Sequence, residues 1–252
     1  MRKVFAALVA LSVPLAFMAA PAVAETTLRA PQSSVNTYIL LDRTGSMSDR
    51  WTEALGSVNA YAVALGEDDA PQAARPSLKT SVTLAVFDAQ DGLKFDVLRR
   101  SVDPGRWNPV TSAEASPRGM TPLFDAVGQM MSLAEKDNPK KAVIVIMTDG
   151  AENASREMNK TKVKATLDRA RERGWEVVFL GADFANFADA SGVGVTASKS
   201  IAVDKSALGE TMQRLAKKSR TYGESAAPAS MTFDEADRKA AKEAEVKQKQ
   251  RP

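Results

Sequence analysis

The sequence predicts an α/β fold, a doubly wound and mostly parallel sheet flanked by helices, and three observations carry that expectation. Thr37-Tyr-Ile-Leu-Leu41 and Ala142-Val-Ile-Val-Ile146 are short apolar runs without polar alternation, the pattern of strands buried on both faces. Runs of this kind alternate with segments of helical length, which places helices on both sides of a parallel sheet. Each of these two runs then gives way to a loop rich in oxygen-bearing side chains, and in open α/β sheets ligands gather at the carboxyl ends of the strands.

In chain order, Thr37 to Leu41 reads as a strand, and Trp51 to Leu65 as a helix with Leu55, Val58, Ala62 and Leu65 on one face. Thr80 to Phe87 and Leu93 to Leu98 read as strands joined by the turn-rich Asp88-Ala-Gln-Asp-Gly92. Pro122 to Glu135 reads as a helix, Ala142 to Met147 as a strand and Lys160 to Arg173 as a helix. Trp175 to Leu180 is a further strand, Phe184 to Ala190 a short helix and Ser206 to Ser219 the last helix. Between them, Arg99 to Met120 carries Pro104, Gly105, Pro109, Pro117 and Gly119 without periodicity. A loop of that length is usually functional or disordered, and leading straight into Thr121 favours function.

Composition narrows the possible functions. At 252 residues and 44% hydrophobic, the chain can bury a full core of one domain with extras. Arg2 and Lys3 precede an apolar run from Val4 to Ala20, and Ala22-Val-Ala24 offers the small residues a signal peptidase prefers, so Met1 to Ala24 reads as a secretory signal. Pro14 and the cleavage site argue against a membrane anchor, and no other stretch is long and apolar enough to span a bilayer. The expected boundaries are a signal over 1–24, a short leader over 25–35, the domain over 36–222 and a charged, solvated tail over 223–252. Removal of Ala226 to Pro252 is expected to leave the domain folded, because Phe233 is almost its only large apolar group.

Losing Arg2 and Lys3 brings the 34 basic residues to within one of the 31 acidic ones, and a nearly neutral exported domain is not a general nucleic-acid binder. With no cysteine there is no disulfide framework, and the lack of both cysteine and histidine argues against a typical structural or catalytic zinc site. Any metal must be held by oxygen.

Three separated stretches supply that oxygen: Asp42-Arg-Thr-Gly-Ser-Met-Ser48, Gly119-Met-Thr-Pro122 and Met147-Thr-Asp-Gly150. Asp42, Thr44 and Ser46 alternate along a strand end and turn, so a carboxylate and two hydroxyls can converge, with Gly45 permitting a tight path. Hard donors of this kind suit a divalent ion, magnesium first, with manganese or calcium also accommodated. Alone, the first stretch is equally an ordinary strand-to-helix junction with a serine cap.

The order Asp-x-Thr-x-Ser, then Gly-Met-Thr-Pro-Leu-Phe-Asp-Ala, then Thr-Asp-Gly resembles the von Willebrand factor type A (vWA) domain and its metal-ion-dependent adhesion site. The resemblance runs from about Asn36 to Arg220 and fills all five expected positions: Asp42, Thr44, Ser46, Thr121 and Asp149. Its one departure is Thr44 where serine is more usual, which keeps the hydroxyl. What it implies is a Rossmann-like sheet, with Thr44, Ser46 and Thr121 as direct ligands and Asp42 and Asp149 as anions acting directly or through water. Two carboxylates would about neutralise a divalent cation and leave an open position for a carboxylate from an Asp or Glu of a partner protein.

Other residues carry plainer expectations. Ser48 reads as a helix cap, Asp125 as a support for the Thr121 loop or a cap, and Asp88 and Asp91 as turn formers. Trp51 and Trp107 read as packing beneath the long loop, with a recognition rim as the alternative. Arg118-Gly-Met120 is not an Arg-Gly-Asp adhesion sequence.

The leading expectation is an exported, periplasmic or secreted, non-enzymatic module that binds another protein through a divalent metal. A scaffold in which metal only stabilises the fold is the alternative. A magnesium phosphatase of the haloacid dehalogenase type would need a second aspartate where Thr44 stands. A nicotinamide enzyme would need a glycine-rich cradle after Leu41, and Gly192-Val-Gly194 comes too late to supply it.

Overall fold

The computed structural model describes residues 33–67, 78–181, 192–226 and 230–249. Its centre is a six-stranded sheet in the order β3-β2-β1-β4-β5-β6. The strands are β1 (Ser34–Asp42), β2 (Lys79–Ala89), β3 (Leu93–Val102), β4 (Ala142–Thr148), β5 (Glu176–Gly181) and β6 (Ser200–Ala202). All neighbours are parallel except the β2–β3 hairpin, which forms the antiparallel edge. The chain winds from β1 out to β3, then returns to place β4 on the other side of β1. Carboxyl ends of β1 and β4 therefore meet where the winding reverses, the place where this architecture leaves a crevice.

Side-chain alternation divides the core into two layers. Val35, Ile39 and Leu41 of β1 face one side with Val143, Val145 and Met147 of β4, and there they pack with α1 (Trp51–Gly66) and α4 (Leu208–Glu224). Tyr38, Leu40, Ile144 and Ile146 face the other side, with α2 (Leu123–Asp137) and α3 (Lys160–Glu172). Because β1 and β4 are covered on both faces, they read as continuous apolar runs. Helix ends follow local chemistry: Asn138 adopts a left-handed conformation after α2, and the Asn159 side chain accepts from the Lys162 amide to start α3.

The expected strands and helices are present with small shifts of their ends, except the helix expected over Phe184 to Ala190, which lies outside the described residues, as do the signal segment and most of the leader. Two elements depart from expectation. β6 is only three residues long, too short to announce itself by periodicity. Nor, within the tail expected over 223–252, are the described residues 230–249 merely solvated. Residues 230–249 carry α5 (Glu235–Ala240) and α6 (Glu243–Lys249), and Met231, Phe233, Ala241 and Val246 are buried in the domain.

Chemistry at the sheet edge explains that docking. β6 pairs on one side only, and the segment covers its other side: Glu243 accepts from the Ala202 amide at 3.2 Å, and the Ala241 carbonyl accepts from the Asp204 amide at 3.0 Å. Phe233 donates its amide to the Ser198 carbonyl at 2.8 Å. An exposed strand edge is a liability, and covering it is one of the ways folds remove it. The premise for treating Ala226 to Pro252 as dispensable, that it offers little apolar surface to the core, therefore does not hold, since four buried apolar residues seat an otherwise charged segment.

Candidate metal centre

Three loops converge at the carboxyl ends of β1 and β4. After β1, the chain leaves Asp42 buried and turns through a 3-10 segment, Gly45–Asp49, into α1. Thr44 donates its amide to Asp42 Oδ1 at 2.7 Å, which fixes the turn, and Gly45 donates to the Gly119 carbonyl at 3.3 Å, which ties the first loop to the second. Gly119 has φ +71, and a Cβ there would stand 2.4 Å from the Ala89 carbonyl oxygen. Only glycine permits that approach, and it lets Met120 and Ala89 exchange backbone hydrogen bonds at 2.9 and 3.2 Å. Thr121 follows, its amide held by Asn153 Oδ1 at 2.8 Å.

The side chains meet as follows. Thr121 Oγ1 donates to Thr44 Oγ1 at 3.2 Å, Thr44 Oγ1 lies 3.1 Å from Ser46 Oγ, and Ser46 Oγ donates to Asp149 Oδ1 at 2.7 Å. Asp42 stands behind them and accepts from Thr148 Oγ1 at 2.6 Å. All five residues singled out by the sequence thus fall in one cluster, the three hydroxyls and Asp149 linked in a row and Asp42 joined through the Thr44 amide. Gly150 closes the cluster: a Cβ there would lie 3.0 Å from Thr121 Oγ1 and 3.5 Å from Ser46 Oγ, so a side chain would crowd the hydroxyls.

Burial pushes the Asp42 carboxyl up to about 6, against the donors Thr148 and Thr44. It also pushes Asp149 up, opposed by Ser46 and by the Arg50 guanidinium. Hydroxyls and carboxylates drawn together at a strand end, with two acids whose ionised forms are disfavoured by burial, make a donor set that fits a hard divalent cation. Among the described residues no group of three or more Asp, Glu, His or Cys side chains gathers to hold a metal, and here the hydroxyls would have to supply most of the donors.

Several expectations about neighbours change. Ser48 does not cap α1; its hydroxyl donates to the Gly45 carbonyl at 2.7 Å inside the 3-10 turn. Asp125 does not hold the Thr121 loop but accepts from the amides of Arg156, Glu157 and Met158 at 2.8, 3.0 and 2.6 Å. The same loop answers from its other end, where Glu152 and Ser155 accept from the first amides of α2. Asp91 does turn the hairpin, with φ 58, whereas Asp88 lies within β2 with no exposed surface. Arg43 Nε at 2.7 Å and Arg118 Nε at 3.1 Å both donate to Asp88, and Arg43 also pairs with Asp96. Trp51 packs beneath the long loop and donates to the Ala115 carbonyl at 2.9 Å, and Trp107 is half-buried with its indole on Asn59 at 3.0 Å.

The residues that sequence reasoning missed are Thr148, Arg43 with Asp88 and Arg118, and Arg50. Thr148 stands inside one of the three oxygen-rich stretches, and its hydroxyl was the available signal. For the others the partners are far apart in sequence, and no spacing rule joins them.

No protein-family model and no curated protein matches this sequence. Solved structures do resemble it. The vWF domain of the type V pili tip protein Mfa5 from Porphyromonas gingivalis is 10% identical with a TM-score of 0.53, the alignment covering 79% of this chain and 99% of that one. A single-residue mutant of the PilB minor pilin from Streptococcus sanguinis is 13% identical with a TM-score of 0.51 over 77% of this chain. Proximal thread matrix protein 1 from the mussel byssus is 12% identical with a TM-score of 0.50 over 74%. This chain spans 63% of the pilin and 46% of the mussel protein. At such identities the likeness is one of architecture, and that architecture is the α/β fold of the von Willebrand factor type A domain.

Proposed function

We propose that this chain is an exported, non-enzymatic vWA module that binds a partner protein through a divalent metal held by Asp42, Thr44, Ser46, Thr121 and Asp149. The observation that carries the reading is the row of hydroxyls from Thr121 through Thr44 to Ser46, ending on Asp149, at the reversal point of the sheet. Thr44, Ser46 and Thr121 would hold the ion directly, and Asp42 and Asp149 would balance its charge directly or through water. Magnesium suits the oxygen donors, with manganese or calcium as further occupants. The ion would supply an open coordination position for an Asp or Glu carboxylate of the partner.

The chain's own residues do the remaining work. Asp42 fixes the first loop through the Thr44 amide, and Asn153 fixes the second through Thr121. Arg118 and Met120 stand exposed beside Thr121 and would border the partner. That a pilus tip protein and a minor pilin share the fold supports a role at a cell surface or in the periplasm, as does the signal-like segment over 1–24. Among the described residues no helix is long and apolar enough to cross a membrane.

Affinity capture from an envelope extract of the source cell, run with magnesium and with chelator, tests the reading. A partner retained by wild type in magnesium should be released by chelator and by Asp149→Ala. Removing one side of a buried charge bridge typically costs about 2 to 5 kcal/mol, roughly thirty-fold or more in affinity. A partner held equally in chelator and by the variant would leave the scaffold reading, in which metal serves stability alone.

A further inference from the structure

A cation is already built into the oxygen cluster. Arg50 stands between the 3-10 turn and α1 with only 8% of its surface exposed. Its Nε lies 3.5 Å from Asp149 Oδ2 and 3.1 Å from Asp49 Oδ1. The two acids are not alike: the Asp49 side chain is 60% exposed and that of Asp149 only 3%. The hydrogen bonds of Arg50 go to Asp49, its Nη2 also reaching Asp49 Oδ2 at 3.4 Å, but water screens that exposed pair far more than the buried one, so the guanidinium charge also bears on Asp149. The backbone holds the guanidinium there, since the Arg50 amide donates to the Met47 carbonyl at 3.2 Å and its carbonyl accepts from Ala54 at 2.9 Å, as the first turn of α1 requires.

Asp149 is thereby divided between two duties. Oδ1 accepts from Ser46 and belongs to the hydroxyl row, while Oδ2 faces the guanidinium. A divalent ion entering the row must share Asp149 with a fixed positive charge. Like charges in a half-dry crevice repel far more than they would in water.

We propose that Arg50 sets how tightly this centre holds its metal, acting as a resident competitor for Asp149. The inference rests on the metal-binding reading of the cluster. Arg50 steadies the metal-free site by offsetting Asp149, and it weakens the loaded site by facing the ion. It is a positioning and tuning residue, not a ligand.

Calorimetric titration of manganese and magnesium into the chelator-stripped full chain tests this, with Arg50→Gln, Arg50→Met and Arg50→Lys beside wild type and a thermal melt of each in chelator and in saturating metal. Arg50→Gln and Arg50→Met should bind metal about tenfold more tightly, which corresponds to about 1.4 kcal/mol. Both should melt lower in chelator and recover in metal, so that their metal-induced rise exceeds that of wild type. Arg50→Lys, which keeps the charge, should stay near wild type. A merely structural arginine would lower both melts equally and leave the affinity unchanged, and that result overturns the proposal while sparing the metal site. If wild type itself takes up no ion, the metal reading falls and this inference with it.

Discussion

Asp42 and Asp88 stand at the ends of neighbouring parallel strands, β1 and β2, both without exposed surface, and the chain satisfies them in opposite ways. Asp88 is gripped by Arg43 and Arg118, so its charge is answered by charge. Asp42 accepts from the Thr44 amide and the Thr148 hydroxyl, which are neutral donors, and burial lifts its carboxyl to about 6. The first arrangement is a clamp: it joins the residue after Asp42 to the loop that delivers Thr121. On the proposed reading the second is a seat, where a buried carboxylate held only by neutral donors would gain from an added cation. Burial alone does not separate the two acids; the character of their partners does.

Asp88→Ala should have the largest effect. It strands Arg43, which is 4% exposed, with Asp96 as its remaining partner, and breaking one side of a buried pair typically costs about 3 to 5 kcal/mol. Thermal melts should fall by the same amount with and without divalent ion. A fall seen only in metal would mean that clamp and seat are one device.

Phe233→Ala probes a region with no part in either. It removes a buried aromatic from the segment covering β6 and should cost about 3 kcal/mol in denaturant unfolding. The metal-induced rise in melting temperature should be unchanged. A lost metal response would show that the β6 edge and the crevice communicate.

Third in size is a pH dependence of the chelated protein. The Asp42 carboxyl lies above its ordinary value in the fold, so its contribution is fully present below about 4 and is lost as pH rises through about 6. Burial raises Asp149 in the same direction. Stability in chelator should therefore fall between pH 4 and pH 7, by about 2 to 3 kcal/mol from Asp42, and the slope should flatten in Asp42→Asn. An equal slope in the variant would place the proton uptake elsewhere.

Ser48→Ala should do least. Its hydroxyl serves the Gly45 carbonyl, so the expected loss is about 0.5 to 1.5 kcal/mol with metal affinity intact. Weakened metal binding would add Ser48 to the candidate donors.

These contrasts also mark what the sequence could disclose. β1 and β4 were legible because burial on both faces leaves apolar stretches without polar alternation, Tyr38 to Leu41 and Ala142 to Met147, and Asp42, Thr44, Ser46, Thr121 and Asp149 because each belongs to a short motif at a strand or helix end. Asp88 looked like a turn residue, since it adjoins Asp91 and Gly92 and its partners Arg43 and Arg118 are 45 and 30 residues away. Arg50 was invisible for the same reason. The closing segment hid its role because Met231, Phe233, Ala241 and Val246 follow no single helical or strand period, so their common burial emerges only once β6 supplies an edge to cover.

The central claim, that the hydroxyl row with Asp42 and Asp149 is a divalent-cation seat, is tested most directly by calorimetric titration of manganese into chelator-stripped wild type and Thr121→Val. Valine keeps the shape of threonine and removes only the oxygen. The account predicts one ion per wild-type chain and binding at least about tenfold weaker in the variant, with both proteins melting alike in chelator. Uptake of no ion by wild type, or equal affinity in the two proteins, would contradict it.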